Sequence, residues 1–249
     1  MLGYPLMQMT RRFFAALSVA TAFHLDSSQA ALVAYWPLND GEPGTPVSAT
    51  GADDVVDDPS HGASDAVAQG LGDTWELDAE RGVVLSTTEG SRLVAGTQDI
   101  DLSKGFTWSL WVKVSVTNKT DTGADVIIGS RNGIWNKVGY DRMGRWASIV
   151  GYDVADDEWH HIAVVGTTEP RVSLYVDGEL VGSDTSFQNN ATVVNDVLEI
   201  GGSSRFSEDL TGLMSDVAIW DEALPLDRIK GLANGDPVIP PKGFRLILE

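Results

Sequence analysis

The chain has 249 residues, 43% of them hydrophobic, which is enough for one sizeable core. Its 36 acidic residues against 17 basic ones leave a net charge of −19, which weighs against nucleic acid or an anionic membrane as partner. Cysteine is absent, so disulfides and thiolate metal sites are excluded.

The N-terminus reads as an export signal. Arg11 and Arg12 precede the apolar run "FFAALSVATAF" (13–23), which is too short to span a bilayer. Small residues in "SQA" (28–30) place the expected cleavage near Ala30, with a mature start at Ala31. "TRRFF" is similar to a twin-arginine signal, so ordinary secretion and twin-arginine export both stay open. No later apolar run is long enough for a membrane span, and a secreted, periplasmic or cell-surface location is expected.

"LVAYWPL" (32–38) is the first expected strand. Residues 31–80 then carry eleven acidic residues and no Lys or Arg, with loop composition (Gly, Pro, Ser, Asp) over 39–65. "FTWSLWVKV" (106–114) alternates with period two. Phe106, Trp108, Leu110, Val112 and Val114 fall on one face, and Thr107, Ser109, Trp111 and Lys113 on the other. Strands are expected in "DVIIGS" (125–130), "RWASIV" (145–150), "WHHIAVVG" (159–166), "RVSLYVDG" (171–178), "VLEIGG" (197–202) and "LMSDVAIW" (213–220). Asp177-Gly178 supplies the positive-φ positions of a hairpin turn. A short helix is expected in "PLDRIKGLANG" (225–235), opened by Pro225, closed by Gly235 and patterned by Leu226, Ile229 and Leu232. A Pro-rich tail (236–249) follows. Many short strands with one short helix read as an all-β fold, a two-sheet antiparallel sandwich or jelly roll.

"GFTWSLWVKV", "DDEWHHIAVV", "VSLYVDGELVGS", "LEIGG" and "LTGLMSDVAIWDEALPLDRI" occur in this order with sensible gaps. Together they resemble a LamG-type (laminin-G-like, concanavalin A-like) jelly-roll domain, spanning residues 31–235. The resemblance implies a module that binds glycans or protein partners, and in many members a calcium ion at the sandwich edge.

Three groups of residues invite chemistry. The first is the adjacent pair His160 and His161. In a regular strand they point to opposite faces, so they do not share a metal; one is expected buried and hydrogen-bonded between the sheets, the other beside the turn. The second is "ELDAE" (76–80), which resembles the acidic strand of the laminarinase glucanases. Glu76, Asp78 and Glu80 share a face on a strand, and carboxyls about 5–5.5 Å apart serve a retaining mechanism. Ala79 and the following Arg81-Gly82 depart from that pattern and suggest a strand end. The third is the acid-rich stretch 31–80, whose crowded carboxylates favour a hard cation, with oxygen ligands fitting calcium. The family resemblance implies Asn39, Asp40, Asp58 and Asp216 as its ligands; Ser215 stands where a second acid is frequent.

A glycan surface needs exposed aromatics. Trp135, Trp111 and Tyr152 are the candidate ligand contacts, and Trp146 is expected in the core. The reading that follows is an exported, non-catalytic binding module, carbohydrate-binding or adhesive. A cell-surface protein-interaction domain and a laminarinase-type hydrolase using "ELDAE" are the alternatives.

Overall fold

The computed structural model describes residues 30–47, 50–56, 65–100, 105–116, 126–130, 137–143, 149–167, 172–184, 194–204 and 209–240. The first strands are β1 (Leu32–Trp36), β2 (Val67–Gln69), β3 (Thr74–Asp78), β4 (Gly82–Thr87), β5 (Arg92–Ile100) and β6 (Phe106–Val114). Next come β7 (Val126–Ser130), β8 (Lys137–Gly139), β9 (Arg142–Met143), β10 (Ile149–Val150) and β11 (Trp159–Gly166). β12 (Val172–Val176), β13 (Glu179–Asp184), β14 (Val194–Ile200), β15 (Gly212–Trp220) and one helix, α1 (Leu226–Ala233), complete the chain.

These strands form two antiparallel sheets. The larger, eight-stranded sheet runs β13-β12-β11-β6-β15-β4-β3, with β1 also pairing to β15. The smaller, seven-stranded sheet runs β10-β9-β8-β7-β14-β5-β2. The expected sandwich is what the chain forms.

Alternation decides what lies between the sheets. Phe106, Trp108, Leu110, Val112 and Val114 of β6 all join the main core, as do Ile162 and Val164 of β11 and Val217 and Ile219 of β15. Leu93, Ile128, Leu198 and Ile200 meet them from the smaller sheet. Each such side chain contributes roughly 1.5–3 kcal/mol when fully buried. The Phe106 ring fills the space over Gly166, where even a Cβ would come within 2.3 Å of it.

The other face of the larger sheet is covered too. Ala163, Val165, Ala218 and Trp220 pack against Ile229 and Leu232 of α1 and against Val238 beyond it. Leu226, the first member of the apolar repeat expected in α1, is instead 46% exposed, because only Ile229 and Leu232 face the sheet. The β12–β13 turn takes the expected form, with φ of 52° at Asp177 and 78° at Gly178.

β15 changes neighbours along its length. Residues 212–214 pair with β4, and residues 217–220 pair with β1. The ladder with β6 is broken between Ser215 and Ala218 by a bulge. Asp216 sits in that break with φ of 56°. Asp adopts this left-handed conformation more readily than most residues, and such conformations cluster at sites with a task.

A cavity on the outer face of the larger sheet

The bulge delivers Asp216 to a polar cavity of about 280 Å³. Its sheet side is formed by Tyr35 of β1, Ser109 and Trp111 of β6, and His161 of β11. Arg81 reaches in from the β3–β4 turn. Leu232 at the end of α1 and the segment Gly235–Ile239 close the opposite side.

Charge in this cavity is paired at its rim. Arg81 Nη2 donates to Asp216 Oδ2 at 2.7 Å, and the Tyr35 hydroxyl donates to Asp216 Oδ1 at 2.6 Å. Ser215 Oγ also donates to Asp216 Oδ2. Burial, reinforced by the negative charge of Asp216, holds the Tyr35 phenol well above its ordinary range, so it stays a donor. The Arg81 guanidinium lies 4.1 Å from the centre of the Trp111 ring and 5.4 Å from that of Trp159, a cation–π arrangement. The Arg81 and Asp216 side chains keep 19% and 27% of their exposure.

The floor is neutral. His161 is fully buried, and its Nε2 lies 2.8 Å from Ser109 Oγ. Its ring meets Trp111 edge-on at 5.3 Å, as expected of residues directly opposite in antiparallel strands. Burial pushes its imidazole down to about 4, so the ring is uncharged near neutral pH.

The two histidines therefore part ways. His161 is the buried one, but it lies on the outer face beneath the C-terminal cover, and not between the sheets as expected. The alternation was right, while the face it buried was decided by α1 and its continuation. His160 takes the position beside the turn. Its Nδ1 lies 2.7 Å from Asp177 Oδ2 and its Nε2 3.2 Å from Asp156 Oδ1. The hydrogen bond to Asp177 raises its imidazole above the ordinary value.

The other sequence candidates separate. Trp111 stands in the cavity. Tyr152 does not: its hydroxyl donates to the Gly139 carbonyl at 2.7 Å and its ring packs on the core, so it ties a loop to β8. Trp135, Trp146 and Asp58 lie outside the described residues. Asn39 and Asp40 lie at the surface, and partial desolvation of Asp40, together with the nearby Asp53 charge, pushes its carboxyl up. Asp216, expected beside them on a calcium ion, already has both oxygens engaged by Arg81, Tyr35 and Ser215. Among the described residues no three acidic or histidine side chains gather to hold a metal.

The "ELDAE" strand also ends early. β3 stops at Asp78, and Ala79 and Glu80 belong to the turn, so Glu76 and Glu80 do not share a strand face. Asp78 Oδ1 accepts the amides of Glu80 and Arg81 and the Trp159 indole N–H. Burial works to raise the Asp78 carboxyl, but these bonds bring it below its ordinary value. Its task is to build the turn that presents Arg81.

Tyr35, Arg81, Ser109 and His161 were not singled out as ligand contacts in the sequence. Arg81 did carry a signal: it is the first Lys or Arg after Arg12, with 68 positions between them.

Human Pentraxin-4 is 35% identical over 89 residues, a stretch covering 32% of this chain and 19% of Pentraxin-4. Among solved structures, domain 4 of AbnA, a GH43 extracellular arabinanase from Geobacillus stearothermophilus solved with arabinotriose, superposes with a TM-score of 0.57 at 16% identity. That match covers 82% of this chain and 98% of that one. The receptor binding domain of botulinum neurotoxin C/D mosaic serotype gives 0.56 at 13% identity, covering 82% of this chain and 51% of that one. The binding domain of Paraclostridial Mosquitocidal Protein 1 gives 0.55 at 14%, with 82% and 52% covered. At these identities the likeness is one of fold. Residues 87–230, more than half of the chain, match the Laminin_G_3 family, and the chain belongs to this family of the concanavalin A-like lectin/glucanases superfamily.

Proposed function

We propose that this protein is an exported, non-catalytic module that binds carbohydrate in the outer-face cavity. The observation that carries the reading is the cavity itself: an indole, a guanidinium–carboxylate pair and a neutral imidazole converge from three strands and a turn on about 280 Å³. That volume lies at the small end for a ligand site and suits one or two sugar rings. A sugar presents hydroxyls that donate and accept at once, so adjacent hydroxyls can bridge Arg81 and Asp216, with Trp111 holding the guanidinium in place. The structural relatives include an arabinanase domain solved with arabinotriose, which supports the same class of ligand. Export rests on Arg11, Arg12 and the apolar run after them.

Affinity electrophoresis through gels containing arabinan, β-1,3-glucan, xylan or cellulose derivatives tests this. Retardation by at least one neutral polysaccharide is expected, with Trp111→Ala abolishing it at unchanged fold. Equal retardation of Trp111→Ala would move the site elsewhere. Absence of retardation in every gel, together with capture by a protein receptor, would favour the protein-interaction reading; a neurotoxin binding domain of the same fold has been solved with rat synaptotagmin II.

A further inference from the structure

Beyond its sheet floor the cavity is walled on three sides. The helix α1 closes one end: Ile229 and Leu232 share an apolar cluster with Ala163 and Ala218, and Ala163 is the next residue after His161 on that face of β11. The β12–β13 turn closes the flank. Gly178 lies so near α1 that a Cβ built on it would come 3.3 Å from the Lys230 Cα and 3.4 Å from the Ala233 Cβ. Lys230 Nζ also pairs with Glu179 Oε1 across this contact, at 3.3 Å. The third wall is a roof, the segment Gly235–Ile239. Exposure locates the mouth: the Arg81 and Asp216 side chains keep 19% and 27% of theirs, against 2% for Ser109.

The roof is held by few ties. The Asp236 amide donates to the Gly231 carbonyl at 2.9 Å, and Val238 is 8% exposed in the apolar cluster shared with α1. Pro237 has no amide to donate. Arg228 of α1 supplies the remaining hold: its Nη2 donates to the Pro237 and Val238 carbonyls, both at 2.8 Å. Among the described residues no other hydrogen bond ties 237–239 to the fold. One guanidinium gripping two consecutive carbonyls therefore sets how far this strap stands from the sheet.

We propose that the strap makes the cavity a blind pocket that takes the end of a saccharide chain and excludes its interior, and that Arg228 is the positioning residue that holds the strap in place. The inference rests on the carbohydrate-binding reading above and deepens it. An open groove on a sheet face lets a polysaccharide run across it. Here a chain entering at Arg81 and Asp216 meets α1 ahead, the β12–β13 turn at the flank and the strap above. Its terminal one or two rings fill about 280 Å³, and the chain has no way out beyond them. Arg228 does not line the cavity; it acts on a ligand only through the two carbonyls it grips.

The test compares chain lengths, by calorimetric titration of the full chain with linear trimers and octamers of α-1,5-arabinose, β-1,3-glucose and β-1,4-xylose. A site that grips two rings anywhere has about two positions on a trimer and about seven on an octamer, so interior binding tightens molar affinity about threefold with length. End binding offers one position on either. In whichever series binds, trimer and octamer should agree within about 1.5-fold on the native protein. Arg228→Met keeps the apolar stem and frees the strap; the octamer should then gain about threefold over the trimer, with binding still abolished by Trp111→Ala. Arg228→Lys, which keeps a cationic donor, should restore the native equality. A purely structural role would weaken trimer and octamer alike. Should Arg228→Met not fold by circular dichroism, Val238→Ala, which withdraws the strap's apolar anchor, supplies the same comparison. An octamer that binds the native protein about threefold more tightly than the trimer overturns the inference and leaves the carbohydrate reading standing. A ratio that stays at one in both strap variants overturns it too, since neither Arg228 nor the strap then selects. If no saccharide binds, the carbohydrate reading falls and takes this inference with it.

Discussion

The two faces of the eight-stranded sheet are built by the same strands with the same alternation, and they obey different rules. The inner face is dominated by apolar side chains, because it meets another sheet. The outer face is apolar only where α1 lies on it, at Ala163, Val165, Ala218 and Trp220. On the same face Ser109 lies level with Ala163 and Ala218, and two residues further along β6 and β11 come Trp111 and His161. What a strand position holds therefore follows from its cover. A helix demands apolar partners, while a thin segment over a cavity allows polar groups such as Ser109 and His161, which bond to each other.

The largest effect should come from the inner face. Phe106→Ala removes a fully buried ring and is expected to cost about 3–5 kcal/mol by denaturant titration. A cost below about 1 kcal/mol would mean that the sheets can close over the gap, contrary to a packed inner face.

Acidification reads the outer face. His161 titrates at about 4 when folded and near 6.5 when unfolded, so the unfolded chain takes up the proton first as pH falls. Its contribution is complete above pH 6.5 and is lost between 6.5 and about 4, a loss of roughly 3 kcal/mol. His161→Gln should flatten that part of the pH profile; an unchanged slope would assign the acid sensitivity to other groups. His160 has the opposite sign. Its raised value stabilises the fold below 6.5, and that stability fades as pH rises through the folded value.

A third site asks whether burial, independent of face, sets such costs. Asp73 is 4% exposed; its Oδ1 accepts the Thr88 amide and its Oδ2 has no partner. Burial, with the nearby Asp209 charge, pushes its carboxyl up to about 6. Stability is then greatest below pH 3.8 and is lost as pH rises toward 6. Asp73→Asn keeps the amide bond and should stabilise the chain by about 2–3 kcal/mol at pH 7, with no gain at pH 3.5. Destabilisation at pH 7 would show that the charge has a counterpart in solution.

The smallest effect belongs to the rim. Arg81→Met keeps the apolar stem and removes the charge from Asp216, at an expected cost of about 1–2 kcal/mol for a half-open charged hydrogen bond. Trp111 emission should change with it, since the guanidinium leaves its ring. A silent spectrum would place Arg81 away from Trp111 in solution.

The comparison also explains which readings survived. The inner face could be read from "FTWSLWVKV" and "WHHIAVVG" because a period of two is a local property. Trp111 was legible for the same reason, as an aromatic on the polar face. Asp216 was legible as a position and not as a role: its partners come from 135 and 181 residues away, and they convert an expected metal ligand into the centre of a hydrogen-bonded cluster. "ELDAE" shows the reverse case. Its spacing allowed three carboxylates on one strand, but the strand ended two residues early and Asp78 was spent on the turn. Tyr152 looked available by residue type, and one bond to the Gly139 carbonyl withdrew it.

By itself the sequence determined the sandwich, its inner face, the hairpin at Asp177-Gly178, the short helix after the last strand, and the order of motifs that marks the family. Each of these depends on neighbours a few residues apart, through alternation, turn conformation or helical spacing. Only the tertiary structure decided where the polar outer face becomes a cavity. That depended on which strands lie beside β6, on the bulge where β15 changes neighbours, and on the segment after α1 closing over His161. Such juxtapositions are set by long-range register and cover, which no local period encodes.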